Sequence, residues 1–189
     1  TLYPILKQYN WNAKGHVIYQ NYLGIDENPV PLIAYGYDTP ENYVFLTKEE
    51  SVTKKVKTTV VGISALNDRA LVNLCARDVS FQNIGPHALT ASGDRYSAEM
   101  ILCDNFLAKA QVLLGTDNIL VAIPRRTVIY IAKKEMTEKE KKQFYMLVSY
   151  TYQDDSFNYA QITDLIFEFK KSTMKTMYIV KQEVRQEVK

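Results

Sequence analysis

Two short clusters carry the charged side chains whose spacing suits ligand chemistry. The first is Ser92-Gly93-Asp94-Arg95-Tyr96, placed where a helix is expected to begin. A helix start exposes unpaired N–H groups and the positive end of the helix dipole, which together attract an anion. Asp94 is itself an anion, and as a capping residue it would use those same donors. The second cluster is Pro124-Arg125-Arg126, at the expected tip of a hairpin. Two guanidiniums side by side can fork onto a carboxylate or a phosphate. Asp94, Arg95, Tyr96, Arg125 and Arg126 are therefore the candidate ligand-binding residues, for a small anionic ligand.

Two further clusters are weighed against blander readings. The stretch Phe144, Tyr145, Tyr150, Tyr152, Asp154, Asp155, Phe157, Tyr159 sets two adjacent acids among six rings. The rings could form a stacking platform for a base or sugar or a partner surface, with Tyr145, Tyr150, Tyr152 and Tyr159 as its candidates; a core-facing helix ending in a capped acidic loop explains most of the pattern. The adjacent Asp154 and Asp155 would repel phosphate. Asp164 and Glu168 lie on one face of an expected strand and could act as an acid–base pair. Their alternation with Leu165, Phe167 and Phe169 instead reads as the solvent face of an edge strand. The basic run Lys48, Lys54, Lys55, Lys57 reads as a solvated face before it reads as a phosphate contact.

The common catalytic signatures do not occur. There is no P-loop, no dinucleotide-binding glycine pattern and no nucleophile elbow. His16 and His87 stand in no metal-ligand spacing. Cys103 with His87 is an arithmetically allowed nucleophile pair, but Cys75 and Cys103 lie on or beside apolar stripes, where cysteine acts as an inert small hydrophobe. The reading is thus no catalytic residue, no metal and no cofactor, and a protein that leans away from being an enzyme.

Composition agrees. The 189 residues carry 23 Lys plus Arg against 21 Asp plus Glu, a net charge of +2. That balance gives no reason to expect nucleic acid as a partner. No apolar run is long enough for a membrane span. Two cysteines cannot build a disulfide framework. The first residue is Thr1, so the native start is not visible and a removed leader remains open. Fourteen tyrosines suit half-buried faces or an interface.

The elements expected to position these residues begin with an edge strand, Leu2 to Gln8, containing Pro4. His16 to Tyr22 is a second strand. Val30 to Tyr37 and Asn42 to Thr47 form a hairpin around Asp38-Thr39-Pro40-Glu41. Residues 48 to 61 fit helix and strand alike. One helix starts at Ser64 with Leu66, Ala70 and Leu74 on its apolar face. A long helix runs from an Asp94 cap through Tyr96, Met100, Cys103, Leu107, Ala110 and Leu114 to Gly115. Asn118 to Ile123 and Thr127 to Ala132 form a hairpin. A third helix opens on the capping box Thr137-Glu138-Lys139-Glu140. Strands follow around Leu165 to Phe169 and Met174 to Val180, then a polar tail, 182–189. Grouped strands and helices predict an α+β fold, a mostly antiparallel sheet with about three helices packed on it, as a single domain over residues 1–181.

Several of these segments resemble one family. They are Leu2-Tyr3-Pro4-Ile5-Leu6, the strand at 17 to 19, the hairpin from Pro31-Leu32-Ile33-Ala34-Tyr35 to Tyr43-Val44-Phe45-Leu46, Asn73-Leu74, Gly93-Asp94-Arg95-Tyr96-Ser97-Ala98, and Leu120 through Ile129. The pattern resembles the YtpQ-like family of bacterial proteins, a domain of unknown function. Thr127 stands where the resemblance leads one to expect Asp. The resemblance implies no established activity, cofactor or catalytic residue. The expected function is a non-enzymatic cytoplasmic binding or interaction module for a protein partner not yet identified. The alternative is an enzyme or small-ligand binder for an anionic substrate near Asp94/Arg95 and Arg125/Arg126.

Overall fold

The computed structural model describes residues 1–40, 42–48, 62–171 and the backbone of 178–180. Lys54, Lys55 and Lys57 of the basic run, most of the last expected strand and the tail at 182–189 lie outside the described residues. The fold is α+β. It divides into two compact units, Thr1–Asp78 and Val79–Lys189, across the span read from sequence as one domain.

The first unit is built around one buried strand. Strands β1 (Leu2–Lys7), β2 (Tyr19–Asn21), β3 (Leu32–Asp38) and β4 (Tyr43–Phe45) form an antiparallel sheet. β3 is buried from Leu32 through Gly36, as its unbroken apolar run requires of a strand covered on both faces. β1 takes one side of it. β2 and β4 share the other, pairing with Leu32–Ala34 and Gly36–Asp38 respectively. Among the described residues β1 thus has a single neighbour, which fits Pro4 within it. At Gly36 a Cβ would meet the Val44 carbonyl oxygen at 3.2 Å, so the close approach of β4 there favours glycine.

Helix α1 (Ile63–Cys75) lies against β1, burying Ala70 and Leu74. Its start differs from the expected Ser64 cap. Gly62 takes the extended N-cap position and its carbonyl receives the Ala65 and Leu66 N–H groups, so Ser64 is already inside the first turn. Polar contacts fix the helix to the sheet. Asn73 Nδ2 donates to the Leu2 carbonyl at 2.8 Å. Asn67 Oδ1 accepts from the Tyr35 hydroxyl and from Gln20 Nε2, both at 3.0 Å. Tyr35 is fully buried, and burial pushes its hydroxyl far above the ordinary tyrosine range. A neutral, donating hydroxyl is therefore what Asn67 receives.

The second unit carries a six-stranded antiparallel sheet in the order β10-β9-β7-β8-β6-β5. Its strands are β5 (Gln82–Gly85), β6 (Ala88–Thr90), β7 (Asn118–Ala122), β8 (Tyr130–Lys133), β9 (Ile166–Lys170) and β10 (Tyr178–Val180). Helix α2 (Asp104–Leu114) lies against β6 and β8. Helix α3 (Glu138–Gln153) sets Phe144 and Val148 on Leu120, Ala122, Ala132, Met136 and Ile166. The alternate positions Ile119, Val121, Ile131 and Phe167 are equally buried, so both faces of this sheet are covered.

The long helix expected from Tyr96 to Leu114 is two elements. A 3₁₀ segment spans Ala98–Leu102, and Cys103 is extended (φ −106°, ψ 106°) before α2 begins. Every residue of the expected stripe is buried, Tyr96, Met100, Cys103, Leu107, Ala110 and Leu114 alike. The break was hidden because Tyr96 through Ile101 are all buried, including Ser97 and Glu99. Burial all round leaves no polar face to mark where helical periodicity stops. Gly115 ends α2 in the left-handed conformation (φ 62°), as its position predicts.

The capping box at the start of α3 is present. Thr137 Oγ1 accepts from the Glu140 N–H, and Glu140 Oε2 accepts from the Thr137 N–H at 2.9 Å and its hydroxyl at 2.7 Å. These bonds hold the Glu140 carboxyl below its ordinary pKa. A depressed folded value means the contribution is present above the unfolded pKa and is lost as pH falls through the folded one. Thr137→Ala is expected to lower the unfolding free energy by about 1 kcal/mol in denaturant titration. An NMR titration should show Glu140 moving back toward its ordinary value in the same variant.

Candidate functional site

The hairpin tip between β7 and β8 is anchored through Arg125, which is only 4 % exposed. Its Nε donates to the Thr151 carbonyl at 2.7 Å. Nη1 donates to the carbonyls of Tyr159 at 2.9 Å and Phe157 at 3.4 Å. Nη2 donates to the Tyr152 carbonyl at 2.8 Å and to Asp155 Oδ1 at 3.2 Å. Thr151 and Tyr152 end α3, where carbonyls lack intrahelical partners and the dipole is negative. The backbone completes the seam: Arg126 N–H donates to Ala160 O, and Ile162 N–H to Pro124 O. The fork expected to seize a ligand anion is thus engaged by the chain's own carbonyls.

The Asp94 cluster lies directly beside this tip. Gly93 N–H donates to Thr127 O at 2.9 Å. Ser92 Oγ accepts from Ile129 N–H at 3.1 Å, and Thr90 Oγ1 donates to Ile129 O at 2.8 Å. The structure therefore brings the two predicted segments together, although the Arg125 guanidinium engages the carbonyls of 151–159. Asp94 caps a tight turn and not a helix: its Oδ1 accepts from Tyr96 N–H at 2.9 Å, and Ser97 Oγ donates to its carbonyl. Arg95 is half-exposed, and the Tyr96 ring is buried.

Thr127 has φ 66°, a left-handed backbone that strains a β-branched residue. Asp tolerates that conformation far better.

The rings of the third cluster separate by exposure. Tyr150 is 67 % exposed, Tyr159 50 % and Phe157 38 %. Tyr152 is half-buried, and its carbonyl takes both Arg125 and Gln161 Nε2. Tyr145 is half-buried against the α3 core beside Phe144. Asp154 is held below its ordinary pKa by hydrogen bonds from Ser156.

Asp164 and Glu168 do not form the exposed pair that the sequence suggests. Glu168 is buried in β9, between β7 and β10 and so not at an edge, where it takes Lys134 Nζ at 2.6 Å. Asp164 precedes the strand. Lys48, the described member of the basic run, donates to the Gly15 carbonyl. Neither Cys75 nor Cys103 is a free thiol, which corrects their reading as inert hydrophobes and removes the Cys103–His87 pair.

One feature was missed. The β5–β6 hairpin and α3 enclose a cleft of about 250 Å³, lined by apolar Ile84, Met136, Phe144 and Leu147 with polar His87, Glu140 and Gln143. His87 Nε2 stands 3.5 Å from Glu140 Oε1. The available signal was Gly85-Pro86, a turn dipeptide. In the sequence Glu140 reads as a cap alone. Among the described residues no group of three His, Cys, Asp or Glu is arranged to hold a metal. No helix among them is long and apolar enough to cross a membrane.

No family model, no curated protein and no solved structure matches the chain.

Arg125→Lys keeps the charge but loses the fork, leaving several carbonyls of 151–159 unsatisfied. It should cost about 3 kcal/mol in denaturant unfolding and speed proteolytic cleavage between Gln153 and Ala160. Thr127→Asp should instead raise stability by up to about 1 kcal/mol, read the same way.

Proposed function

We propose that the protein is a binding module, with no catalytic role, whose contact surface is the aromatic and acidic stretch formed by the end of α3 and the loop that follows it. The observation that carries this is the pairing of exposure with rigidity. Tyr150, Phe157 and Tyr159 keep large rings in solvent while one buried arginine ties down carbonyls at the end of α3 and in the loop after it. Rings presented on a fixed backbone lose little conformational freedom on binding, which favours affinity. The exposed Asp154 and Asp155 beside them make the complementary partner a basic peptide segment.

An enzyme or binder for an anionic substrate at Asp94, Arg95, Tyr96, Arg125 and Arg126 is less well supported, because Arg125 already serves five acceptors. The YtpQ-like resemblance stays a proposal resting on its residues. A cytoplasmic setting is not part of this reading, since neither cysteine is a free thiol and oxidised cysteines persist mainly in oxidising compartments.

The test is a peptide array scored for composition. Bound sequences should be enriched in Lys and Arg next to aromatic residues. Tyr150→Ser with Tyr159→Ser should weaken that binding about tenfold with the melting temperature unchanged. Binding without charge preference, or binding that survives the double variant, would sink the proposal.

A further inference from the structure

The cleft between the β5–β6 hairpin and α3 is separate from the aromatic loop and has its own chemistry. Its walls are apolar (Ile84, Pro86, Met136, Phe144, Leu147), and Glu140 is the acidic group in its lining. One Glu140 oxygen is committed to Thr137. The other faces His87 at 3.5 Å, too long for a strong hydrogen bond. Hydrogen bonds from Thr137 hold the Glu140 carboxyl below its ordinary pKa and keep it ionised. The imidazole is loosely held: its Nδ1 is buried and finds no hydrogen-bond partner among the described residues. A histidine retained for structure is ordinarily bonded through its ring nitrogens. The volume falls just under the roughly 300–1,000 Å³ of pockets for drug-sized ligands, so the occupant is fragment-sized.

We propose that this cleft is a binding site for a small organic amine, its apolar body against Phe144, Met136 and Leu147 and its ammonium on the free oxygen of Glu140. An anion would meet the carboxylate and be repelled. A neutral molecule would gain the apolar contacts but not the charge-assisted hydrogen bond.

The probes are benzylamine, benzyl alcohol and benzoate, one ring with three head groups. Binding is followed by NMR at the Met136 methyl and the His87 imidazole. Benzylamine should give saturable shifts at both, about fivefold tighter than benzyl alcohol, with no saturable effect from benzoate. Glu140→Gln, which can still complete the capping box, should erase the preference for amine over alcohol. Leu147→Trp, at a half-exposed site that tolerates a larger ring, should abolish binding of all three. Equal or tighter binding of the alcohol or of benzoate overturns the proposal. So does an absence of saturable shifts with benzylamine at about 10 mM, well above the dissociation constant of a useful fragment, or binding unaffected by either substitution.

Discussion

The second unit depends on the buried guanidinium of Arg125. Burying a cation is costly unless its donors are all used. Here the fork meets Thr151, Tyr152, Phe157 and Tyr159 carbonyls and the Asp155 carboxylate. The interaction also resolves a problem at the other end: the last carbonyls of α3 have no partners within the helix. One side chain therefore ends a helix, shapes the loop beyond it and fixes that loop to the β7–β8 hairpin. The ion pair with Asp155 adds little, because that carboxylate is 95 % exposed and screened by water. The uncharged carbonyls do most of the holding.

The same residue shows why a site is harder to read than a fold. In the sequence Arg125 and Arg126 follow a turn proline, and arginine at a turn reads as a hand held out to an anion. Nothing local reveals that the acceptors lie 26 to 34 residues further on. Glu168 misleads in the opposite sense. Its alternation with Phe167 and Phe169 looks like the wet face of an edge strand, yet β9 is flanked on both sides and Lys134 reaches in from beyond β8. Long-range partners decide both cases.

Features governed by neighbouring residues were legible. The capping box at Thr137 and Glu140, the left-handed Gly115, the edge position of the Pro4 strand and the turn closed by Thr39 and Asn42 all follow from chemistry within a few residues. The apolar spacing from Tyr96 to Leu114 identified the buried residues correctly but not the backbone that buries them. Burial and helicity coincide only when one face is wet, and from Tyr96 to Ile101 none is. The β5 strand escaped notice for the converse reason. All four residues, Gln82 to Gly85, are exposed, so no hydrophobic alternation announces it.

That exposed strand bears on how the cleft is made. Among the described residues β5 pairs only with β6 and lies at the sheet edge, with a register shift between Asn83 and Gly85. An irregular edge strand turns away from the regular pleat. Its exposed Ile84, with Pro86 at the turn, forms one wall, while Phe144 and Leu147 on α3 form the other. A straighter strand with larger side chains would close onto the helix and fill the space. The hairpin's weak packing is thus the reason an apolar volume stays open next to a fixed carboxylate. Glu140 is immobilised by Thr137 for the sake of the helix, and the open hairpin leaves the other face of that carboxylate accessible beside His87. Two local requirements, one for capping and one for edge irregularity, together produce a concave site that neither residue pattern specifies alone.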